Sequence, residues 1–203
     1  MPDCYLSHII PLGFLELPLI LLGILHYNGF YLKGVVMKYA DSYLKLANFG
    51  RELLEKKSLA EGLPHIAKYA KEIIDARRCS IYMYDRKSDE LWTTLADGIE
   101  KIVIPSDTGI VGNTIKERKP LIVNDAYSHP DFNQKIDEET GYVTVNLITA
   151  PIFNSSRDII GVLQLINKDG GFDNGDVKFM IFFAHYVSGF LELISKYKKA
   201  EKK

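Results

Sequence analysis

The chain has 203 residues, enough for one domain of ordinary size with an extension. Hydrophobic residues make up 47% of it and charged residues 25%, the usual balance for a folded protein. The formal net charge is −1 and the central region contains no long basic run, so no nucleic-acid partner is expected. The two cysteines, Cys4 and Cys79, lie too far apart for a disulfide framework or a zinc site. They fit a reducing compartment, and we expect a cytoplasmic location.

The first 35 residues form an apolar segment. Ile9–Leu25 contains 17 nearly all apolar residues, whereas a helix that crosses a bilayer needs about 20. Extension to Val36 would supply the missing length, and the lysines that follow would place the rest of the chain at the cytoplasmic face. Glu16 disfavours such a span by a few kcal/mol. Three interpretations therefore remain: a membrane anchor at 9–36, a segment packed on a partner helix, and a non-native translation start.

Three segments show the three- and four-residue spacing of apolar residues that predicts amphipathic helices. They are Val35–Lys57, Leu63–Ala76 and Val177–Lys199. Between the first two, Ser58–Pro64 breaks the pattern with a glycine and a proline. The last helix carries an apolar stripe broader than one contact with a sheet requires, so part of it is expected to face a second subunit.

Between the second and the third of these helices the apolar period changes to two, which predicts β-strands. The predicted strands are Cys79–Tyr84, Leu91–Ala96, Lys101–Ile104, Leu121–Val123, Leu147–Phe153 and Ile159–Asn167. A short helix is predicted at Gly109–Arg118. This order of elements predicts an α+β fold, an antiparallel sheet with the long helices on one face.

A long polar stretch, Asp125–Gly141, has little periodicity. Loops of this length in a compact domain are usually functional or disordered. Because its aromatic residues can pack against the rest of the domain, we interpret this stretch as a lid. Only Gly109–Arg118 and this lid would cover the second face of the sheet, which leaves room for a ligand between them.

Several short sequence blocks follow one another along the chain. They are Arg78-Cys79-Ser80, Gly109-Ile110-Val111-Gly112, Asn124-Asp125-Ala126-Tyr127, Thr140-Gly141-Tyr142, Asn146-Leu147, Ala150-Pro151-Ile152 and Ile160–Lys168. Together they resemble the GAF family, and more narrowly the GAF domains of cyclic-nucleotide phosphodiesterases and cyclases. The resemblance covers about Leu59–Ser195. It implies a GAF/PAS-like antiparallel sheet with long N- and C-terminal helices on one face and a ligand pocket under short helices and loops on the other.

A further motif lies at the end of the last predicted strand. Asn167, Lys168, Phe172 and Asp176 match the Asn-Lys…Phe…Asp-Glu signature of the phosphodiesterase-type GAF domains, but Val177 replaces the final glutamate. The resemblance implies an ion pair between Lys168 and Asp176 near the pocket. Such a pair would tie the strand to the positive end of the last helix.

The same resemblance implies a set of ligand-binding residues for a cyclic nucleotide, either cGMP or cAMP. The residues are Ser80 and Asp97 at the base, Ile110 and Val111 as backbone amides for a cyclic phosphate, Tyr127, Asp131 and Thr140 in the lid, and Gln164 on the last strand. Ala96 occupies the position where cyclic-GMP binders usually carry an aromatic residue that stacks on the purine. Its absence is expected to cost about 1–3 kcal/mol of binding free energy.

Catalysis finds little support in the sequence. Cys79 has no second cysteine nearby for a redox reaction, and the histidines have no partner at the spacing of metal ligands. We therefore expect three regions, an apolar segment at 1–35, a connecting or dimerisation helix at 36–58 and a GAF domain at 59–203. The expected function is a regulatory domain that senses a small molecule, forms a homodimer through its terminal helices and acts on a separate output protein. The alternative is a dimerisation or scaffold module with a vestigial pocket.

Overall fold

The computed structural model describes residues 44–93 and 102–200, without the side chains of 102 and 195–200. The chain divides into two units, Met1–Gly50 and Arg51–Lys203. A first helix, α1, is present at 44–54. Residues 1–35 and the beginning of the predicted helix Val35–Lys57 lie outside the described residues. The membrane anchor at 9–36, the cytoplasmic location and the three predicted regions therefore stay predictions.

Six strands form one sheet in the second unit. They are β1 (Ala76–Asp85), β2 (Glu90–Thr93), β3 (Ile102–Pro105), β4 (Leu121–Val123), β5 (Leu147–Phe153) and β6 (Ile159–Lys168). Their order across the sheet is β3-β2-β1-β6-β5-β4, and every neighbouring pair is antiparallel. With the helices described next, this arrangement confirms the predicted α+β fold.

Within the described residues, four helices accompany the sheet. They are α2 (Leu59–Ile74), α3 (Gly109–Glu117), α4 (Lys135–Thr140) and α5 (Asn174–Ala200). The long helices α2 and α5 contact each other and the central strands, and the ring of Tyr69 stacks on that of Phe183 at 5.5 Å. Because successive strand residues point to opposite faces, Cys79 and Ile81 on β1 lie on the face away from Ser80 and Tyr82. All four side chains are buried, so both faces of the sheet are covered.

Helix α2 begins at Leu59, four residues before the predicted start. The hydroxyl oxygen of Ser58 accepts a hydrogen bond from the Glu61 amide at 3.3 Å, and the Glu61 carboxylate accepts one from the Lys57 amide at 3.1 Å. This is close to a capping box, a helix-start signal that the sequence carries. Gly62 lies inside the helix and does not end it. A Cβ at this position would lie 2.3 Å from the ring of Phe190, so the glycine allows α5 to approach α2 closely.

The lid and the last helix also differ from the predictions. The polar stretch Asp125–Gly141 contains helix α4, which ends at Gly141 with a φ of 68°. Helix α5 starts at Asn174 because Asp173 accepts hydrogen bonds from the amides of Gly175 and Asp176, at 2.6 and 3.0 Å. The part of α5 from Asn174 to Ile194 is long and apolar enough to cross a membrane by length and composition alone, and 44% of this apolar stretch is buried inside the domain.

Candidate ligand-binding site

A cavity lies between the sheet and its cover of α3, α4 and the lid. Arg78, Ser80 and Tyr82 of β1 and Gln164 of β6 form its floor, and the first turn of α3 forms one wall. The described residues enclose about 80 Å³. This volume holds several water molecules but is smaller than the roughly 300–1,000 Å³ of a typical small-molecule pocket. A ligand the size of a nucleotide would therefore require the walls of the cavity to move.

The centre of the floor is polar. Ser80 pairs with Gln164, and Gln164 pairs with Thr149, so the three residues form one row across β1, β6 and β5. The exposed fraction is 5% for Ser80 and 9% for Gln164. The Gln164 amide makes no hydrogen bond to any residue that the structure describes. Because Gln164 lines the cavity, its amide is suited to a hydrogen-bond partner that enters the cavity.

One member of this polar row, Thr149, also contacts helix α3. The hydroxyl groups of Thr149 and Thr114 are 2.5 Å apart, and the Thr114 hydroxyl donates to the Ile110 carbonyl at 2.9 Å. Both threonines are fully buried. The helix is therefore held on the sheet by hydrogen bonds as well as by apolar contacts.

Tyr82 closes the floor beside this row. Its ring packs in a cluster with Val111 of α3 and Val162 of β6. Burial raises the pKa of Tyr82 to about 12, an effect that the Ser80 hydroxyl partly offsets. The phenol therefore remains protonated, and able to donate a hydrogen bond, throughout the physiological pH range.

The N-terminus of α3 opens onto the cavity. Residues 108–111 line the wall, and the side chain of Thr108, the N-cap residue, makes no capping hydrogen bond. The first amides of a helix carry a partial positive charge and are suited to an anionic group. Gly109, with a φ of 66°, brings the chain into this turn.

The lid is anchored on a buried carboxylate. Asp137, 6% exposed, accepts hydrogen bonds from the Thr144 amide at 2.6 Å, the Thr144 hydroxyl at 2.9 Å and the Tyr127 hydroxyl at 3.0 Å. The ring of Tyr127 packs against that of Phe132 at 5.4 Å. The lid is therefore a packed element with its own polar core.

An arginine and a tyrosine meet at one end of the cavity. The guanidinium carbon of Arg78 lies 3.5 Å from the centroid of the Tyr142 ring. The hydroxyl of Tyr142 accepts a hydrogen bond from the Asn167 side chain at 3.0 Å. Tyr142 is thus held between the cavity and the end of β6.

The residues of the Asn-Lys…Phe…Asp motif connect β6 with α5. Lys168 Nζ lies 2.7 Å from each carboxylate oxygen of Asp176, which stands in the first turn of α5. The Phe172 amide and carbonyl both bond to the side chain of Asn124, at 2.8 and 3.0 Å. The motif therefore ties together a strand, a loop and a helix at one end of the cavity.

The structure brings only some of the predicted ligand-binding residues to the cavity. Five line it, namely Ser80, Ile110, Val111, Thr140 and Gln164. Tyr127 and Asp131 do not: the Tyr127 hydroxyl bonds to Asp137, and the Asp131 carboxylate accepts a hydrogen bond from Asn113 at 2.8 Å. Ala96 and Asp97 lie outside the described residues. A role in ligand binding stays a prediction for all of them.

Many of the residues that line the cavity were not predicted from the sequence, among them Arg78, Tyr82, Asp137 and Tyr142. A signal existed for two of them, because Arg78 and Tyr82 lie two positions before and after Ser80 on one strand and must share its face. Asp137 and Tyr142 reach the cavity because of the irregular path of the chain in and after the lid. The spacing of apolar residues in the sequence does not predict this path.

Known proteins resemble this chain in sequence. The family model for the GAF domain matches residues 58–190. A cGMP-specific 3',5'-cyclic phosphodiesterase of Drosophila pseudoobscura pseudoobscura is 34% identical over 138 residues, which are 64% of this chain and 11% of that protein. The corresponding phosphodiesterase of Drosophila melanogaster is 39% identical over 104 residues, 47% of this chain and 9% of that protein. The chain thus spans about a tenth of the length of these relatives.

Solved structures share the fold at lower identity. The GAF domain of a phosphoenolpyruvate-protein phosphotransferase from Coxiella burnetii has a TM-score of 0.68 at 18% identity, covering 78% of this chain and 96% of that one. A free methionine-R-sulfoxide reductase from Neisseria meningitidis has a TM-score of 0.62 at 22% identity, covering 74% and 88%. These likenesses concern the fold alone. The family model covers more than half of the chain, and the predicted family is confirmed: the chain belongs to the GAF domain family.

Proposed function

We propose that this GAF domain is a regulatory module that binds a cyclic nucleotide in the cavity between the sheet and the lid. The observation that carries the proposal is the buried Gln164 amide, which faces the cavity without a partner among the described residues. An amide can donate and accept, which suits the edge of a purine base. The α3 N-terminus at the same cavity suits a phosphate. The relatives named as cGMP-specific phosphodiesterases support the choice of ligand class.

A regulatory role fits the chemistry of the described residues better than catalysis does. Cys79 is fully buried and alternates away from the cavity face, so its thiol does not meet a ligand there. Within 44–93 and 102–200, no group of three or more His, Cys, Asp or Glu side chains could hold a metal ion. The similarity to a methionine sulfoxide reductase concerns the fold and supplies no reductase chemistry to this chain.

The proposed signal passes from the lid to α5 and on to a separate output protein. Tyr142 directly follows the lid, and its hydroxyl bonds to Asn167 at the end of β6. The next residue, Lys168, forms the ion pair with Asp176 of α5. A ligand that binds the closed lid more tightly than the open one would shift this connected set of contacts.

Replacing Gln164 by leucine is expected to separate ligand binding from stability. The variant loses an amide that has no described partner, so its melting temperature should stay the same or rise. Its affinity for cGMP or cAMP should fall about tenfold, because one hydrogen bond of about 1.4 kcal/mol is lost. Isothermal titration calorimetry and a thermal melt measure the two effects.

Gln134→Leu provides the matched control, since Gln134 is exposed and does not line the cavity. It should bind as the wild type does. A folded wild-type domain that binds neither nucleotide, or a Gln164→Leu variant that binds both unchanged, would contradict the proposal.

A second proposal concerns assembly, and the exposed face of α5 favours it. Ile181, Phe182, Tyr186 and Leu193 are between 37% and 51% exposed. The other exposed positions between Ile181 and Leu193 are His185 and Gly189, and the charged residues Lys178 and Glu192 lie at the two ends of this face. A mainly apolar face on the outside of a domain is typical of an interface. We propose that a second copy of the chain covers it, as in a homodimer or scaffold module.

Phe182→Glu should weaken such a dimer. In a two-fold interface the added carboxylate appears on both sides, and the loss of a central aromatic residue should raise the dissociation constant at least about thirtyfold. Sedimentation velocity over a dilution series measures it. Val143→Glu is the control, since Val143 is 60% exposed but follows the lid and does not belong to α5. A wild-type chain that sediments as a monomer at all concentrations would rule out the homodimer.

A further inference from the structure

Arg78 gives the cavity a cationic group whose hydrogen-bond donors are not used by any residue that the structure describes. Its side chain lies on the floor beside Ser80 and Gln164, one row nearer the start of β1. The guanidinium lies over the Tyr142 ring, 3.5 Å from its centroid. In the described part of the chain no carboxylate forms an ion pair with it.

Stacking on an aromatic ring fixes a guanidinium without using its donors. The attraction acts through the flat face of the group, whereas the five N–H bonds lie in its plane and point outward from its edge. Tyr142 is itself held by the hydrogen bond from Asn167. Arg78 therefore presents a rigid fork of donors to a ligand at the polar row of the floor.

Such a fork distinguishes between purine bases. Guanine offers two adjacent acceptors, O6 and N7, which match a guanidinium with two parallel hydrogen bonds, whereas adenine offers one acceptor, N7, beside a donor, the N6 amino group. We infer that Arg78 is a specificity-determining residue that makes the cavity prefer cGMP over cAMP by binding the O6 and N7 edge of the base. The inference rests on the proposed binding of a cyclic nucleotide.

The test compares Arg78→Met with the wild type. Methionine keeps a long apolar side chain next to Tyr142 but has no N–H donors, whereas lysine could still bond to O6 and N7. The wild-type domain should bind cGMP about tenfold to a hundredfold more tightly than cAMP, and Arg78→Met should lose most of this preference. The neighbouring Arg77→Met is the control, because Arg77 is exposed and paired with Asp169 at 2.7 Å on the outside of the domain.

A modified ligand tests the contact itself. 7-Deaza-cGMP lacks the N7 acceptor, so it should bind the wild type and Arg77→Met more weakly than cGMP does, whereas Arg78→Met should bind the two ligands equally. Calorimetric titrations of the three proteins with the three ligands measure these ratios. A structural role for Arg78 would change all affinities together and leave the ratios unchanged.

The outcomes separate the two proposals. A wild-type domain that binds both nucleotides without preferring cGMP, or a preference that Arg78→Met retains, would overturn the role of Arg78 and leave cyclic-nucleotide binding in place. A folded wild-type domain that binds none of the three ligands would refute cyclic-nucleotide binding, and the role of Arg78 with it.

Discussion

Replacing Asn167 by alanine should lower the free energy of unfolding by about 4 kcal/mol. The side chain makes four hydrogen bonds: its oxygen accepts from the amides of Val145 and Asn146 at 2.7 and 3.3 Å, and its amide donates to the Val143 carbonyl and the Tyr142 hydroxyl at 2.7 and 3.0 Å. Asn167 is 7% exposed, so the partners left behind would be poorly hydrated. Urea denaturation followed by circular dichroism measures the loss.

The backbone of Asn167 contributes a separate part of this effect. Its φ is 57°, in the left-handed region that asparagine tolerates better than alanine. Asn167→Gly removes the same hydrogen bonds but adopts this conformation freely, so it should lose about 3 kcal/mol, roughly 1 kcal/mol less than Asn167→Ala. Equal losses would show that the backbone conformation costs nothing. A loss below about 1 kcal/mol in both variants would show that the Asn167 side chain does not hold residues 142–146, the segment that follows the lid.

The sheet is the part of the fold that the sequence predicts best. Strands β4 and β5 have the predicted limits, Leu121–Val123 and Leu147–Phe153, because each is a short apolar segment bounded by turn residues. Strand β1 starts at Ala76, three residues before the prediction, because Ala76 pairs with Lys168 of β6. The alternation of apolar residues does not predict this extension, because residues 77 and 78 are charged. The end of a strand can be polar when the neighbouring strand supplies its backbone hydrogen bonds.

The predicted residues on the sheet, Ser80 and Gln164, line the cavity, whereas of the three predicted lid residues only Thr140 does. Ser80 and Gln164 lie opposite each other in the register of β1 and β6, so strand geometry brings them together. Tyr127 and Asp131 were expected to close on a ligand, but their hydrogen bonds lead to Asp137 and Asn113. These contacts depend on the turns of one irregular loop, for which the sequence has no periodic signal.

Within the motif, residue identity predicts the charged pair but not the role of the asparagine. Lys168 and Asp176 attract each other by charge, so their pairing follows from residue type once the strand and helix are placed. Asn167 bonds mostly to backbone groups of 143–146, which carry no sequence signature. Its left-handed φ is likewise visible only in the structure.

Asp176→Ala should lower the free energy of unfolding by about 3 kcal/mol. The carboxylate side chain is 8% exposed, accepts both hydrogen bonds of the Lys168 ammonium and also accepts from the Asp173 amide at 2.9 Å. Its loss leaves a half-buried ammonium, 22% exposed, without its counter-ion. Lys168→Met should cost less, about 1–2 kcal/mol. The Asp176 carboxylate would still accept the hydrogen bond of the Asp173 amide and would still be stabilised by the positive end of the α5 dipole.

A double-mutant cycle isolates the pair from these other contacts. The coupling between Lys168→Met and Asp176→Ala should be about 1.5–3 kcal/mol, the range for a hydrogen-bonded charge with restricted access to water. The exposed pair Arg77–Asp169 has the same 2.7 Å distance but side chains that are 65% and 84% exposed, so the same cycle should give no more than about 1 kcal/mol. If the two couplings are equal, burial does not strengthen the Lys168–Asp176 pair. The connection between the cavity end of β6 and α5 would then rest on the hydrogen bonds of Asn124 and on apolar packing, not on charge.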